Sequence, residues 1–253
     1  MTSSIPSLTL IELADPGLPS HESYSPFCLK VHRALRLLDL PYTRRNEHDP
    51  RRLRPFNPKG QAPVLLVGDE PVADSTDIVA RLQVLAGRSL VPTDPRLAAE
   101  ARLVEELADT AVNAFLVAAR WADDRNWPST KEAYFVGMPR LVRAIVPNRL
   151  RAGVVERLVA REVWRGGPEE CWRRFSTLLD DLDARAPSAG GWVGDEQSQY
   201  GLADLALFAQ VHSLRTPLTP WQRDEVARRG RLSAWLDRVD AATRPVAPAS
   251  MAA

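Results

Sequence analysis

The stretch "NPKGQAPVLLVGDEPVADSTDIVARL", residues 57–82, contains two strand signals followed at once by a helix start. "APVLLV" (62–67) is a short apolar run, and "PVAD" (71–74) follows it after the turn signal Gly68-Asp69. This pattern predicts a tight β-hairpin. From Ser75 onward the apolar residues recur at helical spacing, so the hairpin should lead directly into a helix.

The residues before this stretch predict the rest of a small α/β layer. "SLTLIEL" (7–13) indicates a buried strand, and "LPYTRR" (40–45) a second one near an edge. Between them Ser25 is a good helix N-cap, because Pro26 follows at the first helical position. The apolar residues of this helix fall on one side, which leaves its basic residues for the solvent side: Lys30, Arg33 and Arg36.

After position 87 the signals become helical. Asp94 and Pro95 cap and begin a long helix, and further helices are predicted near 131–146, 149–165, 168–184 and 201–214. The Gly, Ser and Pro content of residues 88–95 is typical of a linker. The predicted organisation is an α/β domain over 1–87, a linker at 88–95, an all-helical domain over 96–243 and a flexible tail at 244–253.

Composition excludes several classes of protein. The 253 residues carry a net charge of +1 and are 45% hydrophobic, which favours a folded chain without affinity for nucleic acid. Two cysteines and four scattered histidines show neither a disulfide scaffold nor metal-ligand spacing, so no metal is expected. The uncharged segment 110–119 is too short to span a bilayer. Together with the absence of a signal-peptide pattern, this predicts a cytoplasmic protein.

Three motifs in order carry a resemblance to the cytosolic glutathione transferases: "SPFCLKVHRALRLLDLPY" (25–42), the hairpin stretch 57–82, and "WVGDEQSQYGLADLALF" (192–208). The resemblance covers nearly the whole chain. It implies a thioredoxin-like domain followed by an all-helical domain, glutathione as co-substrate, and a homodimer. It also implies a detoxifying enzyme that activates the glutathione thiolate for attack on a small apolar electrophile or a hydroperoxide.

The resemblance also implies site residues. Asp74 and Ser75 should hold the γ-glutamyl end, although either is also a plain helix cap. The peptide bond between Ala62 and Pro63 should be cis, so that the Ala62 backbone pairs with the cysteinyl part of the ligand. Lys59 and Gln61 could reach the glycyl carboxylate, but Lys59 could equally be a solvated loop residue. Phe27 is the last of the residues that the resemblance assigns to glutathione binding.

The first motif, residues 25–42, resembles the active-site stretch of the family's serine-type classes. It raises the question of which side chain would stabilise the thiolate of bound glutathione. Ser25 is expected to be catalytic, because a hydroxyl at a helix N-terminus can stabilise the thiolate of bound glutathione. Tyr24 is a rival hydroxyl donor, and a Cys28-dependent thiol transferase is an alternative enzyme. A second-substrate pocket is expected near Tyr24, Phe115 and Trp121.

Two departures from compact members of the family stand out. The segment 122–170 is longer and rich in arginine, which leaves open a non-catalytic, metaxin-like binding or scaffold protein on the same fold. Gly201 stands where Ser or Thr usually caps a helix, although Asp204 remains as the acidic partner of a capping box.

Overall fold

A four-stranded mixed sheet with the strand order β2-β1-β3-β4 forms the first part of the chain. The computed structural model describes residues 6–13, 15–18, 21–47, 49–195 and 197–244, without the side chain of Pro50. β1 (Leu8–Leu13) pairs in parallel with β2 (Thr43–Glu47) and antiparallel with β3 (Val64–Val67). β3 pairs antiparallel with β4 (Glu70–Ala73), which confirms the predicted hairpin.

Two helices complete this thioredoxin-like layer. α1 (Pro26–Leu37) begins at the Ser25 cap, and α2 (Ser75–Ala86) begins directly after β4, as predicted. The core between sheet and helices contains Leu10 and Leu35, and also Leu205 from the helical part of the chain. The two parts therefore share apolar packing at their boundary.

The second part of the chain is all helical, in agreement with the predicted fold class. A long helix is built from α3 (Pro95–Glu106) and α4 (Asn113–Val117), with π-helical turns at Leu107–Val112 and Ala118–Ala122. The remaining helices are α5 (Trp127–Phe135), α6 (Arg140–Ala160), α7 (Gly167–Arg185), α8 (Leu202–His212), α9 (Pro220–Ala227) and α10 (Gly230–Thr243). Apart from Arg244, the predicted tail lies outside the described residues.

The polar face of α1 is not on the solvent side. Lys30 and Arg33 are fully buried, so the prediction that they face solvent is wrong. The physical reason is that the helical part of the chain covers this face of α1. α8 and α10 pack against α1, and Lys30 contacts Glu105 and Asp109 of the long helix. Arg33 is compensated there by Glu22 at 3.3 Å and Asp240 at 2.8 Å, as a buried guanidinium requires.

The start of α8 explains the missing Ser or Thr cap. A Cβ atom at Gly201 would lie 2.5 Å from the carbonyl oxygen of Leu90, so only glycine fits this close approach. The same carbonyl accepts a hydrogen bond from the Leu202 N–H at 2.8 Å. Asp204 Oδ2 accepts the Gly201 N–H at 2.9 Å, which confirms its predicted capping role.

Asp204 also joins α8 to the two neighbouring segments. Its Oδ1 accepts the backbone N–H of Trp192 at 2.8 Å and the indole N–H of Trp235 at 3.2 Å. Burial raises the pKa of Asp204 to about 6, while these donors act in the opposite direction. The buried Asp204 carboxylate therefore connects α8 to the segment before it and to α10.

The pH dependence of stability provides the first test. The pKa of Asp204 is higher in the folded than in the unfolded state, so the protonated carboxyl stabilises the fold. This stabilisation is fully present below the unfolded-state pKa near pH 4 and is lost as pH rises through about 6. We expect the stability advantage of the wild type over Asp204→Asn, which does not titrate, to shrink by about 2–3 kcal/mol between pH 4 and pH 7. Urea unfolding of both proteins across this range measures it; a pH-independent difference would contradict the assignment.

Candidate functional site

A cleft of about 680 Å³ opens between the sheet layer and the long helix of the second part. Four segments contribute to it: the start of α1, the loop before β3, the β4–α2 junction and α3. Its lining residues are Phe27, Asn57, Lys59, Gln61, Ala62, Pro63, Ala73, Asp74, Ser75, Thr76, Asp77, Glu105, Glu106 and Asp109. All seven residues that the sequence assigned to ligand binding lie in this set, whereas Ser25, Tyr24, Phe115 and Trp121 do not.

The β4–α2 junction forms one wall of the cleft. Asp74 has a φ of 79°, a conformation that is strained for a residue with a side chain, and its Oδ1 accepts the Thr76 N–H at 2.9 Å. Ser75 beside it is buried. Since the first N–H groups of a helix have no intrahelical acceptor, this end of α2 attracts an anionic group.

The loop before β3 forms another wall of the cleft, and Asn57 stabilises its conformation. The Asn57 side chain donates to the carbonyl of Gln61 at 2.8 Å and accepts the N–H of Lys59 at 3.0 Å. The peptide bond between Ala62 and Pro63 is cis, as expected. Lys59 and Gln61 are both exposed, so their side chains are accessible from the cleft.

A buried lysine supports the third wall, which the sequence did not reveal. Lys30 Nζ lies 2.5 Å from Glu105 Oε1 and 2.7 Å from Asp109 Oδ2, two carboxylates of the long helix. The Thr76 hydroxyl donates to the same Glu105 oxygen at 3.2 Å, which links α2 to this cluster. Because one ammonium opposes two carboxylates, this wall keeps an excess of negative charge.

The charges around the cleft are therefore unevenly distributed. Five carboxylates and one ammonium, that of Lys59, line the cleft, and the buried Lys30 behind it is paired with two of the carboxylates. The carboxylates are Asp74, Asp77, Glu105, Glu106 and Asp109. An elongated ligand with an ammonium at one end and a carboxylate at the other matches this polarity.

Ser25 lies at the start of α1, two residues before Phe27 of the cleft. Its Oγ accepts the Cys28 N–H at 3.4 Å, and its own N–H donates to the Ser23 hydroxyl at 3.2 Å. An oxygen that caps a helix as an acceptor keeps its O–H hydrogen for another partner. The half-buried Ser25 side chain also hydrogen-bonds with the Cys28 thiol. Its O–H hydrogen can rotate from that thiol toward an anion bound at this helix terminus.

Cys28 is enclosed in the protein. Its side chain is fully buried, and burial raises the pKa of the thiol to about 12, with the charge of Glu12 adding to the rise. Hydrogen bonds from Ser25 and Ser23 offset this only in part. Cys171, the second cysteine, is also buried and free. A thiol that is neither accessible nor ionised is a poor nucleophile.

The predicted second-substrate residues are placed differently from one another. Phe115 is only 5% exposed and packs against Phe175 in the helical core, so the structure does not bring it to an accessible surface. Tyr24 and Trp121 are half-buried, and both rings contact Tyr134, with centroid distances of 5.3 Å and 5.6 Å. They form an aromatic group on the Ser25 side of the molecule, of which Phe115 is not part.

Arg120 holds this aromatic group in place, and no pattern in the sequence indicates such a role for it. Its guanidinium donates to the carbonyl of Tyr24, to the Tyr134 hydroxyl at 3.0 Å and to the carbonyl of Ser213 at 2.7 Å. Burial raises the pKa of Tyr24, as does its proximity to Tyr134. The Tyr24 hydroxyl is thus a weaker proton donor than an ordinary tyrosine.

The described ranges contain neither a membrane-spanning helix nor a cluster of metal-ligating side chains. No helix in them has the length and apolarity needed to cross a bilayer. Within the same ranges, no three or more His, Cys, Asp or Glu side chains come together in a way that could hold a metal ion.

Comparisons with known proteins agree with the architecture. Residues 26–126 match a family model described as the glutathione S-transferase N-terminal domain, and residues 152–238 match one described as the glutathione S-transferase C-terminal domain. The two matched ranges together take in most of the chain. A search of curated proteins found no match.

Solved structures show the same fold at low sequence identity. The beta-etherase LigF from Sphingobium sp. strain SYK-6 is 23% identical with a TM-score of 0.62, covering 93% of this chain and 95% of that one. A glutathione S-transferase from Methylobacterium radiotolerans in complex with glutathione sulfonate is 20% identical, with a TM-score of 0.57 and 96% of each chain covered. One from Methylobacillus flagellatus with glutathione bound is also 20% identical, with a TM-score of 0.57, covering 95% of this chain and 100% of that one.

Proposed function

Since the chain belongs to the glutathione S-transferase family, we propose that it binds glutathione in the cleft and activates its thiol for attack on a small electrophile or a hydroperoxide. The observation that carries the proposal is that one cleft collects all seven residues assigned to glutathione from the sequence. Retention on immobilised glutathione, followed by turnover of a reactive aryl halide and of a hydroperoxide, tests it. A protein that is not retained and turns over neither substrate would contradict it.

The charges of the cleft suggest how glutathione lies in it. The γ-glutamyl carboxylate is placed at Ser75, where the free N–H groups of α2 attract an anion. The γ-glutamyl ammonium then faces Asp74 and the acidic wall of Glu105 and Asp109. At the other end the glycyl carboxylate is placed near Lys59. The cysteinyl part lies between these ends and pairs with the Ala62 backbone.

Activation of the thiol is assigned to Ser25. An ordinary thiol has a pKa of about 8.5, so only a few per cent is ionised at neutral pH. Lowering this pKa by about two units takes about 2.7 kcal/mol of differential stabilisation. One hydroxyl hydrogen bond to a charged acceptor contributes about 1.5–3 kcal/mol, and the helix terminus adds to it. A serine hydroxyl is therefore sufficient, and no protein thiolate is needed.

The burial of Cys28 favours this mechanism over a Cys28-dependent thiol transferase. An attacking cysteine must be accessible and partly ionised, whereas Cys28 is fully buried with a pKa of about 12. The open cleft favours ligand binding over a purely structural protein of the metaxin-like kind. For the aromatic group we propose a role in holding the second substrate through Tyr24 and Trp121.

We also propose that the protein is a cytoplasmic homodimer. α2 and α3 each carry a strongly exposed apolar side chain, with Val84 at 72% and Leu103 at 71% exposure. Single apolar residues at such exposure do not by themselves mark an interface, so their contact with a second copy is part of the proposal. Sedimentation of the wild type and of Leu103→Glu would test the dimer.

The ammonium site gives the next prediction. We expect Asp74→Asn to weaken glutathione binding by about 1–2 kcal/mol, between the values for exposed and buried ion pairs, because Asp74 is exposed until a ligand covers it. Asparagine tolerates the positive φ and can still cap α2, so the charge alone is removed. Titration calorimetry measures the change.

Asp69→Asn is the matched control, because Asp69 is an exposed carboxylate in the β3–β4 turn outside the cleft. It should bind glutathione as the wild type does. Equal weakening by both substitutions would show a general charge effect, and no weakening by Asp74→Asn would remove Asp74 from the γ-glutamyl site.

A further inference from the structure

The end of α5 and the beginning of α6 expose an unusual concentration of apolar side chains. Leu141 is 84% exposed, Ile145 68% and Val136 66%. Met138 and Val142 are also exposed, so five large hydrophobic residues within ten positions face solvent; they are called the apolar patch below. Scattered exposed apolar residues are ordinary, but a contiguous group of them marks an interaction surface.

A basic pocket lies beside the apolar patch. This cavity of about 410 Å³ between α5 and α6 is lined by three basic side chains, Lys131, Arg140 and Arg143. Its one acidic side chain, Glu132, forms an ion pair with Arg143. The charges of Lys131 and Arg140 therefore remain as a net positive potential inside a concave site.

The sequence around the pocket reinforces this potential. From position 133 to position 155 the chain contains four arginines and no acidic residue. Arg140 and Arg143 of the pocket flank Leu141 and Val142 of the apolar patch along α6. The partner of this surface must therefore offer negative charge and an apolar medium side by side.

The positive charge and the exposure of this surface distinguish between three candidate partners: a second copy of the chain, a groove in another protein and an anionic bilayer. A second copy docking symmetrically would bring Lys131 and Arg140 close to their own counterparts, and like charges repel. A groove in a protein contacts one face of a helix. Residues 136–142, in contrast, are all exposed, so the segment presents every side to its surroundings. A fluid phase can surround such a segment, and an anionic bilayer interface supplies both negative headgroups and acyl chains.

We infer that this surface docks the protein on an anionic membrane, with a lipid phosphate group in the basic pocket and the apolar patch in the interface. The attachment is peripheral and involves no membrane-spanning helix. It assigns a role to the arginine-rich segment that the glutathione cleft does not use.

The test is co-sedimentation of the full chain with vesicles of phosphatidylcholine alone and of phosphatidylcholine containing phosphatidylserine. We expect binding to the anionic vesicles only, weakening as salt is raised. Reversing the pocket charges in Lys131→Glu/Arg140→Glu should lower the partition coefficient by at least about tenfold. Leu141→Ser/Ile145→Ser should lower it by at least about tenfold through the loss of apolar burial.

Matched controls lie on the same helix outside this surface. Arg157→Glu and Val159→Ser change an exposed charge and an exposed apolar residue near the other end of α6, and both should bind vesicles like the wild type. All four variants should keep the wild-type affinity for glutathione, because none of them touches the cleft. They should also keep the wild-type unfolding midpoint, because surface substitutions usually change stability little. That readout separates failure of this inference from failure of the proposed function.

Three outcomes would overturn the inference. One is the absence of binding to anionic vesicles, or equal binding to neutral ones. Another is thermal stabilisation by inorganic phosphate, lost in Lys131→Glu/Arg140→Glu, in a protein that ignores vesicles; the pocket would then be a site for free phosphate. The third is binding of a poly-glutamate peptide without vesicle binding, which would identify an acidic protein as the partner.

Discussion

Ser25→Gly is expected to lose about 10- to 100-fold in the rate of glutathione conjugation while still binding glutathione. The expected loss corresponds to one hydrogen bond to a charged acceptor, about 1.5–3 kcal/mol. Binding should persist because the contacts proposed for the γ-glutamyl and glycyl ends are with other residues of the cleft. Glycine is the informative replacement, since it costs a helix N-cap only a few tenths of a kcal/mol and leaves α1 in place.

Two further variants make this result specific. Ser25→Thr keeps a hydroxyl at the cap and should restore most of the rate. Cys28→Ala should retain most of the rate as well, because the Cys28 thiol is buried and un-ionised. The opposite pattern, with Ser25→Gly at full rate and Cys28→Ala inactive, would show that the protein is a cysteine-dependent thiol enzyme.

Lys30→Met is expected to produce the largest loss of stability, about 3 kcal/mol. It leaves Glu105 and Asp109, which lie against Lys30 at 2.5 Å and 2.7 Å, without their cation. Removing one partner of a buried ion pair commonly costs about 3–5 kcal/mol. The lower end applies here, because the Asp109 side chain is 15% accessible and can be partly hydrated.

Neutralising the carboxylates supplies the control for this prediction. The triple variant Lys30→Met/Glu105→Gln/Asp109→Asn should recover most of the lost stability, since no unpaired charge remains buried. Urea unfolding of the single and triple variants gives both values. A Lys30→Met protein within about 0.5 kcal/mol of the wild type, the range of ordinary surface substitutions, would show that the cluster is not important to the fold.

The sequence predicted the sheet layer well because each of its elements carries local information. The hairpin has a turn signal between two apolar runs, and both helices start at a recognisable cap. These features depend on neighbours in sequence, and the structure confirms them at β3, β4 and α2. Six of the seven predicted cleft residues come from the hairpin stretch 57–82 and Phe27 comes from the motif at 25–42, and all were assigned only because these motifs resemble those of a known family.

Features that depend on contact between the two parts of the chain escaped prediction. Lys30 lies on the polar face of α1, and periodicity alone assigns such a face to solvent. The structure buries it because the long helix packs there and places Glu105 and Asp109 against the Lys30 ammonium. Glu105 and Asp109 were missed for a related reason, since nothing near them in sequence shows that their helix borders the cleft.

The helix boundaries after residue 130 were predicted incorrectly for a different reason. The sequence analysis predicts two separate helices near 131–146 and 149–165. Proline removes a backbone donor and disfavours a helix interior by about 3 kcal/mol. The structure continues α6 from Arg140 to Ala160 through Pro147, which is buried against its neighbours. Tertiary packing has overridden the local preference, and spacing in the sequence does not distinguish these cases.

The measurement that tests the central claim most directly is a pH titration of the thiolate absorbance of bound glutathione, in the wild type and in Ser25→Gly. We predict a midpoint about two units below that of a free thiol in the wild type, and a return toward the free value in the variant. An unshifted midpoint in the wild type, or an equally lowered midpoint in both proteins, would contradict the assignment of thiol activation to Ser25.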